Sequence, residues 1–295
     1  MTEEQWIKAG KISAQALDYG KKLIKPDVPL IEVAEKVEAK ILELGAGMAF
    51  PCNISINDLA AHYTPNADSK EVFNEGDIVK LDVGAQIDGH IGDNAITIEV
   101  GTNEHPNLIK APKEAVEEVL KLIKPGLQIR QIGRVIQEKI QSYGFAPVKN
   151  LSGHGIKQYT QHAPPSIPNY DNGNTNELKE GQVIAIEPFA SMGEGLVTEG
   201  KPSNIYKLEN IRPTRNPIAR QILYFIQEEY KTLPFAKRWV VKEFGAKANL
   251  GFAFLERDGI LHSYPQLPER SKALVSQYEK TVMVKDKVIV LTQAD

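Results

Sequence analysis

The chain repeats itself. Residues 22–46, KLIKPDVPLIEVAEKVEAKILELGA, lie without a gap over residues 121–145, KLIKPGLQIRQIGRVIQEKIQSYGF, at a constant offset of 99. A duplication this long confines the fold to architectures built from two like halves. In both copies KLIKP leads into apolar residues at helical spacing: Leu30, Val33, Val37 and Ile41 in the first, Ile129, Ile132, Ile136 and Ile140 in the second. Gly45 and Gly144 then close the two helices as C-terminal caps. Further on, FPCNIS at 50–55 rhymes with APVKNLS at 146–152, and EGDIVKLD at 75–82 with EGQVIAIE at 180–187. Each copy reads as helix, proline loop, amphipathic helix and strands. Two such halves most simply share one antiparallel sheet about a pseudo-twofold axis, with helices covering one side, an α+β fold.

Both Glu-Gly strands end on an acid, Asp82 in one and Glu187 in the other. After Asp82 the chain runs VGAQIDGHIGDNAITIEV, two alternating segments around Asp88-Gly89, a strong hairpin signal. With Asp88 and Gly89 as the loop, Ile87 pairs with His90 and Gly84 with Asp93. Asp82 shares the face of Gly84, so Asp82 and Asp93 become diagonal neighbours roughly 7 to 8 Å apart at the backbone. Gly84 between them leaves room for an object above the sheet. Flanking apolar residues of both parities, from Val79 to Ile98, argue against a solvated face. Two carboxylates aimed at one spot in such surroundings repel, and a cation resolves the conflict. The pseudo-twofold adds Glu187 from the opposite side. His154, between Gly153 and Gly155, and Glu279, in the last hairpin, complete a candidate ligand set.

The remaining bulk properties exclude several classes. With 42% hydrophobic and 25% charged residues over 295 positions, the chain is an ordinary globular protein of one large domain or two modest ones. A formal charge of -3 gives no basic footprint for nucleic acid or an anionic membrane. No apolar run approaches the roughly 18 residues that cross a bilayer. The only cysteine, Cys52, cannot form an internal disulfide, and the acidic opening MTEEQWIKAGKISAQ is unlike a signal peptide. A cytoplasmic location is expected.

These residues carry a family resemblance. AHYTPN (61–66), KLDVGAQIDGHIGDNAIT (80–97), LSGHGIKQYTQHAPPSIPN (151–169), VIAIEPFAS (183–191), HSYPQL (262–267) and QYEKT (277–281) resemble the type II methionine aminopeptidases, metallopeptidases of the pita-bread fold. The match runs over essentially the whole chain in order. It implies a catalytic domain at 1–204 and 266–295, and a helical insertion subdomain at 205–265. The insertion begins legibly, with Asn216 as N-cap, Pro217 at the first helical position, then Ile218, Ile222, Phe225 and Ile226 down one side.

The resemblance also implies a site with two divalent cations (cobalt, manganese, iron or zinc). Asp82 would chelate one, His154 and Glu187 would hold the other, and Asp93 and Glu279 would bridge them. The implied activity is removal of the N-terminal methionine from nascent proteins with a small uncharged second residue, by a hydroxide bridging the two metals. His62 and His162 are the implied substrate-facing histidines, His162 at the tetrahedral intermediate. Glu187 would pass a proton to the leaving amine with help from His62. Phe50, His62 and Tyr264 are candidates for the methionine slot, while His90, His105 and His262 read as structural. One residue departs from the family pattern: Lys280 follows Glu279 where the family usually has histidine, and on a strand it should point away from the metals.

Partners would be the N-termini of nascent polypeptides, which the enzyme could meet at the ribosome, and the expected state is a monomer. One competing reading is a prolidase or X-Pro aminopeptidase of the same fold, which generally carries an added N-terminal domain. The other is a non-catalytic pita-bread binding protein, which predicts missing ligands.

Overall fold

A computed structural model describes residues 2–293. The duplicated segments fold as matching helix pairs. In the first half α1 (Thr2–Leu23) precedes α2 (Leu30–Glu43), and in the second α3 (Pro106–Leu120) precedes α4 (Ile129–Ser142). The four apolar residues read from each copy are buried. Gly45 and Gly144 follow the caps with φ of +82° and +83°, the left-handed turn that frees each chain to enter its strands.

The first half's strands form one antiparallel ladder, with Ile78–Ile87 flanked by His90–Glu99 and by Asn53–Ile56 and Gly47–Met48. In the second half Ile289–Val290, Lys280–Met283, Val183–Ile186, Ser152–Lys157 and Thr160–Pro168 lie side by side in that order. A third, short ladder joins Val275–Gln277, Phe189–Ser191 and Ala146–Pro147. α1 and α2 bury their apolar faces on the first ladder, and α3 and α4 on the second.

The central layer is shared, but it is not one unbroken ladder. Glu187-Pro188 separates Val183–Ile186 from Phe189–Ser191, and Tyr278-Glu279 separates Val275–Gln277 from Lys280–Met283. Proline supplies no N–H at the first interruption. The halves are instead joined by a mixed seam. The Glu279 N–H donates to the Ala95 carbonyl at 2.9 Å. The Thr281 hydroxyl accepts from the Asp93 N–H at 2.9 Å and donates to the Asp93 carbonyl at 2.7 Å. The Thr97 hydroxyl does the same for Gln277, both at 2.7 Å. This seam sets Asp93 and Glu279 side by side.

Between the Glu187 and Glu279 strands the chain builds a separate cluster. Strands Pro202–Leu208, Phe235–Ala236 and Leu261–Pro265 pack with α5 (Pro217–Glu229), α6 (Lys237–Phe244) and α7 (Lys247–Arg257) around Ile222, Ile226, Phe235, Phe252 and Leu255. Asn216 caps α5 by accepting from the Ile218 and Ala219 N–H groups, both at 3.0 Å, and Pro217 opens the helix. No described helix is long and apolar enough to cross a membrane.

Candidate metal centre

The hairpin has the register its sequence predicts: Ile87 opposite His90, Gly84 opposite Asp93. Asp88 and Gly89 turn with φ of +48° and +79°, the left-handed pair that matches the twist of the flanking strands. Asp82 and Asp93 therefore share a face. The space over Gly84 is occupied: a Cβ added there would lie 2.1 Å from the Phe50 ring, so the ring rests directly on the glycine, between the two acids. Gly153 and Gly155 on either side of His154 answer to close approach, because a Cβ at either would meet the carbonyl oxygens of Ala185 or Pro164 at 2.2 and 2.3 Å.

All five acids and imidazoles of the candidate set line one cavity of about 270 Å³, together with Phe50, His62, His162 and Tyr264. Asp93, His154 and Glu279 offer ligand atoms that lie within 4.8 Å of one another. His154 Nε2 is 3.8 Å from Asp93 Oδ2 and 3.5 Å from Glu187 Oε1. Its Nδ1 lies 3.2 Å from the Gly155 carbonyl, an acceptor that favours the tautomer with the proton on Nδ1.

Asp93 and Glu279 are buried, while Asp82 and Glu187 are partly open to the cavity. Burial, then the neighbouring acids, pushes the carboxyls of Asp82, Glu187 and Glu279 well above the ordinary carboxylate range. Asp93 is also raised, chiefly by burial. Burial depresses His154 to about 4, so its imidazole is neutral at physiological pH. Asp82 Oδ1, Asp93 Oδ1 and Glu279 Oε1 are buried, and among the described residues no hydrogen-bond donor meets them. Unpaired buried carboxylate oxygens are expensive. Four acids and one neutral imidazole lining one cavity, three of them with ligand atoms within 4.8 Å of one another, are a hard, oxygen-rich set for divalent cations, so the residues present fit such a group.

The other predicted residues fall as follows. His62 and Tyr264 stack edge to face at 5.2 Å, and the His162 ring meets those of His154 at 4.5 Å and Tyr264 at 6.4 Å. Desolvation within the cavity and a neighbouring histidine hold His62 below its ordinary pKa, and His162, whose surface is more exposed, is lowered by the same two causes. His90, His105 and His262 are not in the cavity lining; His90 bonds the Ile87 carbonyl at 3.0 Å and stacks on Trp6. Lys280 points to the far side of the layer, where its Nζ bonds Asn94 Oδ1 at 3.0 Å and the Thr292 carbonyl at 2.7 Å. Cys52 is a buried free thiol, with burial pushing its pKa up.

Sequence reasoning missed the residues that hold the acids. Gln161 Nε2 donates to Asp93 Oδ2 at 3.1 Å, and Gln277 Nε2 to Glu187 Oε2 at 3.4 Å. Thr281 clamps the Asp93 backbone, and Asn53, opposite Asp82 in the ladder, also lines the cavity. Strand alternation from Glu279 would have flagged Gln277 and Thr281. No periodic signal marks Gln161.

A family profile described as Metallopeptidase family M24 matches residues 4–227. The chain is 49% identical over 283 residues to a methionine aminopeptidase of Archaeoglobus fulgidus, covering 96% of this chain and 95% of that one. It is 45% identical over 296 residues to the methionine aminopeptidase of Pyrococcus abyssi, covering 99% and 100%. Among solved structures, methionine aminopeptidase from Thermotoga maritima superposes with a TM-score of 0.72 at 25% identity, over 98% of this chain and 96% of that one. A thermophilic Arx1 gives 0.86 at 19% identity, over 98% and 90%. Prolidase from Pyrococcus furiosus gives 0.62 at 21% identity, over 99% of this chain but 64% of the prolidase. The last two likenesses speak for the fold alone.

Proposed function

The chain belongs to the metallopeptidase family M24, and from that membership we infer that it removes the N-terminal methionine from polypeptide chains by hydrolysis. The observation that carries this reading is the convergence of Asp82, Asp93, His154, Glu187 and Glu279 on one cavity, with three carboxylate oxygens that no donor among the described residues meets. These five residues would hold two divalent cations, manganese, iron, cobalt or zinc. When bound, such ions would lower the pKa of water and so supply hydroxide near neutral pH.

The chain's own groups supply the rest. His162, kept neutral, offers an N–H to the oxygen of the scissile carbonyl as charge develops there. Glu187, whose carboxyl is protonated more readily than an exposed one, accepts a proton and delivers it to the leaving amine, with His62 assisting beside the second residue. Phe50, His62 and Tyr264 give the methionine side chain an apolar, irregular slot, with His162 beside it at the scissile carbonyl. Small uncharged second residues are preferred. Residues 205–265 form the helical insertion and 1–204 with 266–295 the catalytic body; Ile205, Pro234 and Tyr264 are the insertion's contribution to the cavity wall. The protein acts as a cytoplasmic monomer on nascent chains, including those at the ribosome. It has no nucleic-acid or membrane partner.

Hydrolysis of Met-Ala-Ser against Ala-Pro, with and without a chelator, tests the reading. Cleavage of Met-Ala-Ser that the chelator abolishes and added Mn²⁺ restores is expected. Cleavage of Ala-Pro alone would favour a prolidase, and inactivity on both with metal added would favour a binding protein.

A further inference from the structure

Gln161 sits in the metal cavity for a reason the strand pattern alone does not supply. In the hairpin Ser152–Lys157/Thr160–Pro168, Gly155 pairs with Ala163 and Lys157 with Thr160. One residue, Ile156, therefore stands opposite two, Gln161 and His162. That is a β-bulge, which re-aims a side chain that regular alternation would send to the other face. Both Gln161 and His162 consequently line the cavity.

The bulge gives Gln161 a specific task. Asp93 is held at its backbone by Thr281, through bonds of 2.9 and 2.7 Å, but those bonds leave its carboxylate free to turn. The Gln161 amide donates to that carboxylate, to Oδ2 at 3.1 Å, and outweighs its other hydrogen-bonding neighbours, the Asn94 N–H and the carboxyls of Glu279 and Asp82. Oδ2 is also the oxygen 3.8 Å from His154 Nε2, while among the described residues no hydrogen-bond donor meets Oδ1. A carboxylate oxygen accepts at about two sites. With one Oδ2 site taken by the amide, the carboxylate is biased towards the orientation that leaves Oδ1 facing the cavity.

We infer that Gln161 is a positioning residue for the divalent-metal site: through the 161–162 bulge it biases the Asp93 carboxylate towards the rotamer that presents Oδ1 and one face of Oδ2 to the cations. The inference rests on the metal reading of the cavity. Outer residues that orient a metal ligand are typically worth 10–100-fold in metal affinity.

The test compares metal-free wild type with Gln161→Leu and Gln161→Met, which keep bulk and lose the donor. Mn²⁺ affinity is read by calorimetry, and the visible bands of Co²⁺, which report ligand geometry, by absorption. Both variants are expected to bind Mn²⁺ roughly 10–100-fold more weakly and to shift the Co²⁺ bands, while their metal-free melting temperatures stay with wild type. Mn²⁺ affinities within about threefold of wild type, well short of that range, and unmoved Co²⁺ bands in both variants would overturn the inference, even if a melting temperature fell. A wild type that binds no divalent ion overturns the metal reading and this inference with it, a result distinct from wild type and variants binding alike.

Discussion

Asp93 is an acid placed where ionisation is costly, and the cost has a measurable pH signature. Burial raises its pKa, as it does those of Asp82, Glu187 and Glu279. For an acid raised on folding, the contribution to stability is fully present below its unfolded pKa near 4 and is lost as pH rises through the folded value, about 7 for Asp93. A bound cation replaces the missing positive charge in that upper range. The gap in melting temperature between Mn²⁺-loaded and metal-free protein should therefore widen from pH 5 to pH 7.5. Binding near pH 6.5 should also release protons, read by calorimetry in two buffers of different ionisation enthalpy. Those protons come from carboxyls, since His154, depressed to about 4, has already lost its own. A constant gap with no proton release would mean the acids are ionised before metal arrives. His162 makes a second prediction at this scale: His162→Ala should lower kcat for Met-Ala-Ser by about 10²–10³-fold while Mn²⁺ affinity holds. A fall in affinity with kcat unchanged would move His162 from the reacting carbonyl to the metal.

At the level of elements, the hairpin around Asp88-Gly89 shows what a sequence makes legible. A two-residue turn that tolerates positive φ fixes the register, and the register fixes which acids share a face. The amphipathic helices and their glycine caps were readable for the same reason, since each depends only on near neighbours. Three features were not. The Phe50 ring over Gly84 comes from the bend between Gly47–Met48 and Asn53–Ile56, the Gln161–His162 bulge breaks the alternation from which faces are inferred, and the interruption at Tyr278-Glu279 is set by pairing across the halves. The glycine contact can be tested directly. A Cβ at position 84 would lie 2.1 Å from the ring, so Gly84→Ala must displace Phe50. Overpacking of this kind typically costs about 1–3 kcal/mol, which urea unfolding would register. KM for Met-Ala-Ser should rise as the slot changes shape, and adding Phe50→Leu should recover part of the lost stability. Unchanged unfolding and KM in Gly84→Ala would show that the ring moves aside freely.

For the whole molecule, the question is what holds the helical cluster against the first half so that the cavity has a fixed wall. Glu38 on α2 and Arg238 on α6 are both buried and form an ion pair across 200 positions. Glu38 also accepts from the Trp239 indole at 2.9 Å and the Cys52 N–H at 3.1 Å. Arg238 donates to Thr64 Oγ1 at 2.6 Å and the Pro65 carbonyl at 3.1 Å, just beyond His62. No spacing relates positions 38 and 238, so this joint was invisible until the chain was folded. Removing one partner leaves a buried charge uncompensated, which typically costs about 3–5 kcal/mol, whereas replacing both by apolar residues of similar size is often near neutral. Glu38→Ala should therefore destabilise by that amount in urea, and the paired Glu38→Leu/Arg238→Met variant by much less. The joint anchors Thr64 and Pro65 and, through α6, the cluster that carries Tyr264. A folded Glu38→Gln enzyme should accordingly show a larger rise in KM than fall in kcat, with Mn²⁺ affinity unchanged because none of the five candidate ligands touches the joint. Loss of Mn²⁺ affinity in that variant would instead mean that the wall and the metal cavity are mechanically one unit.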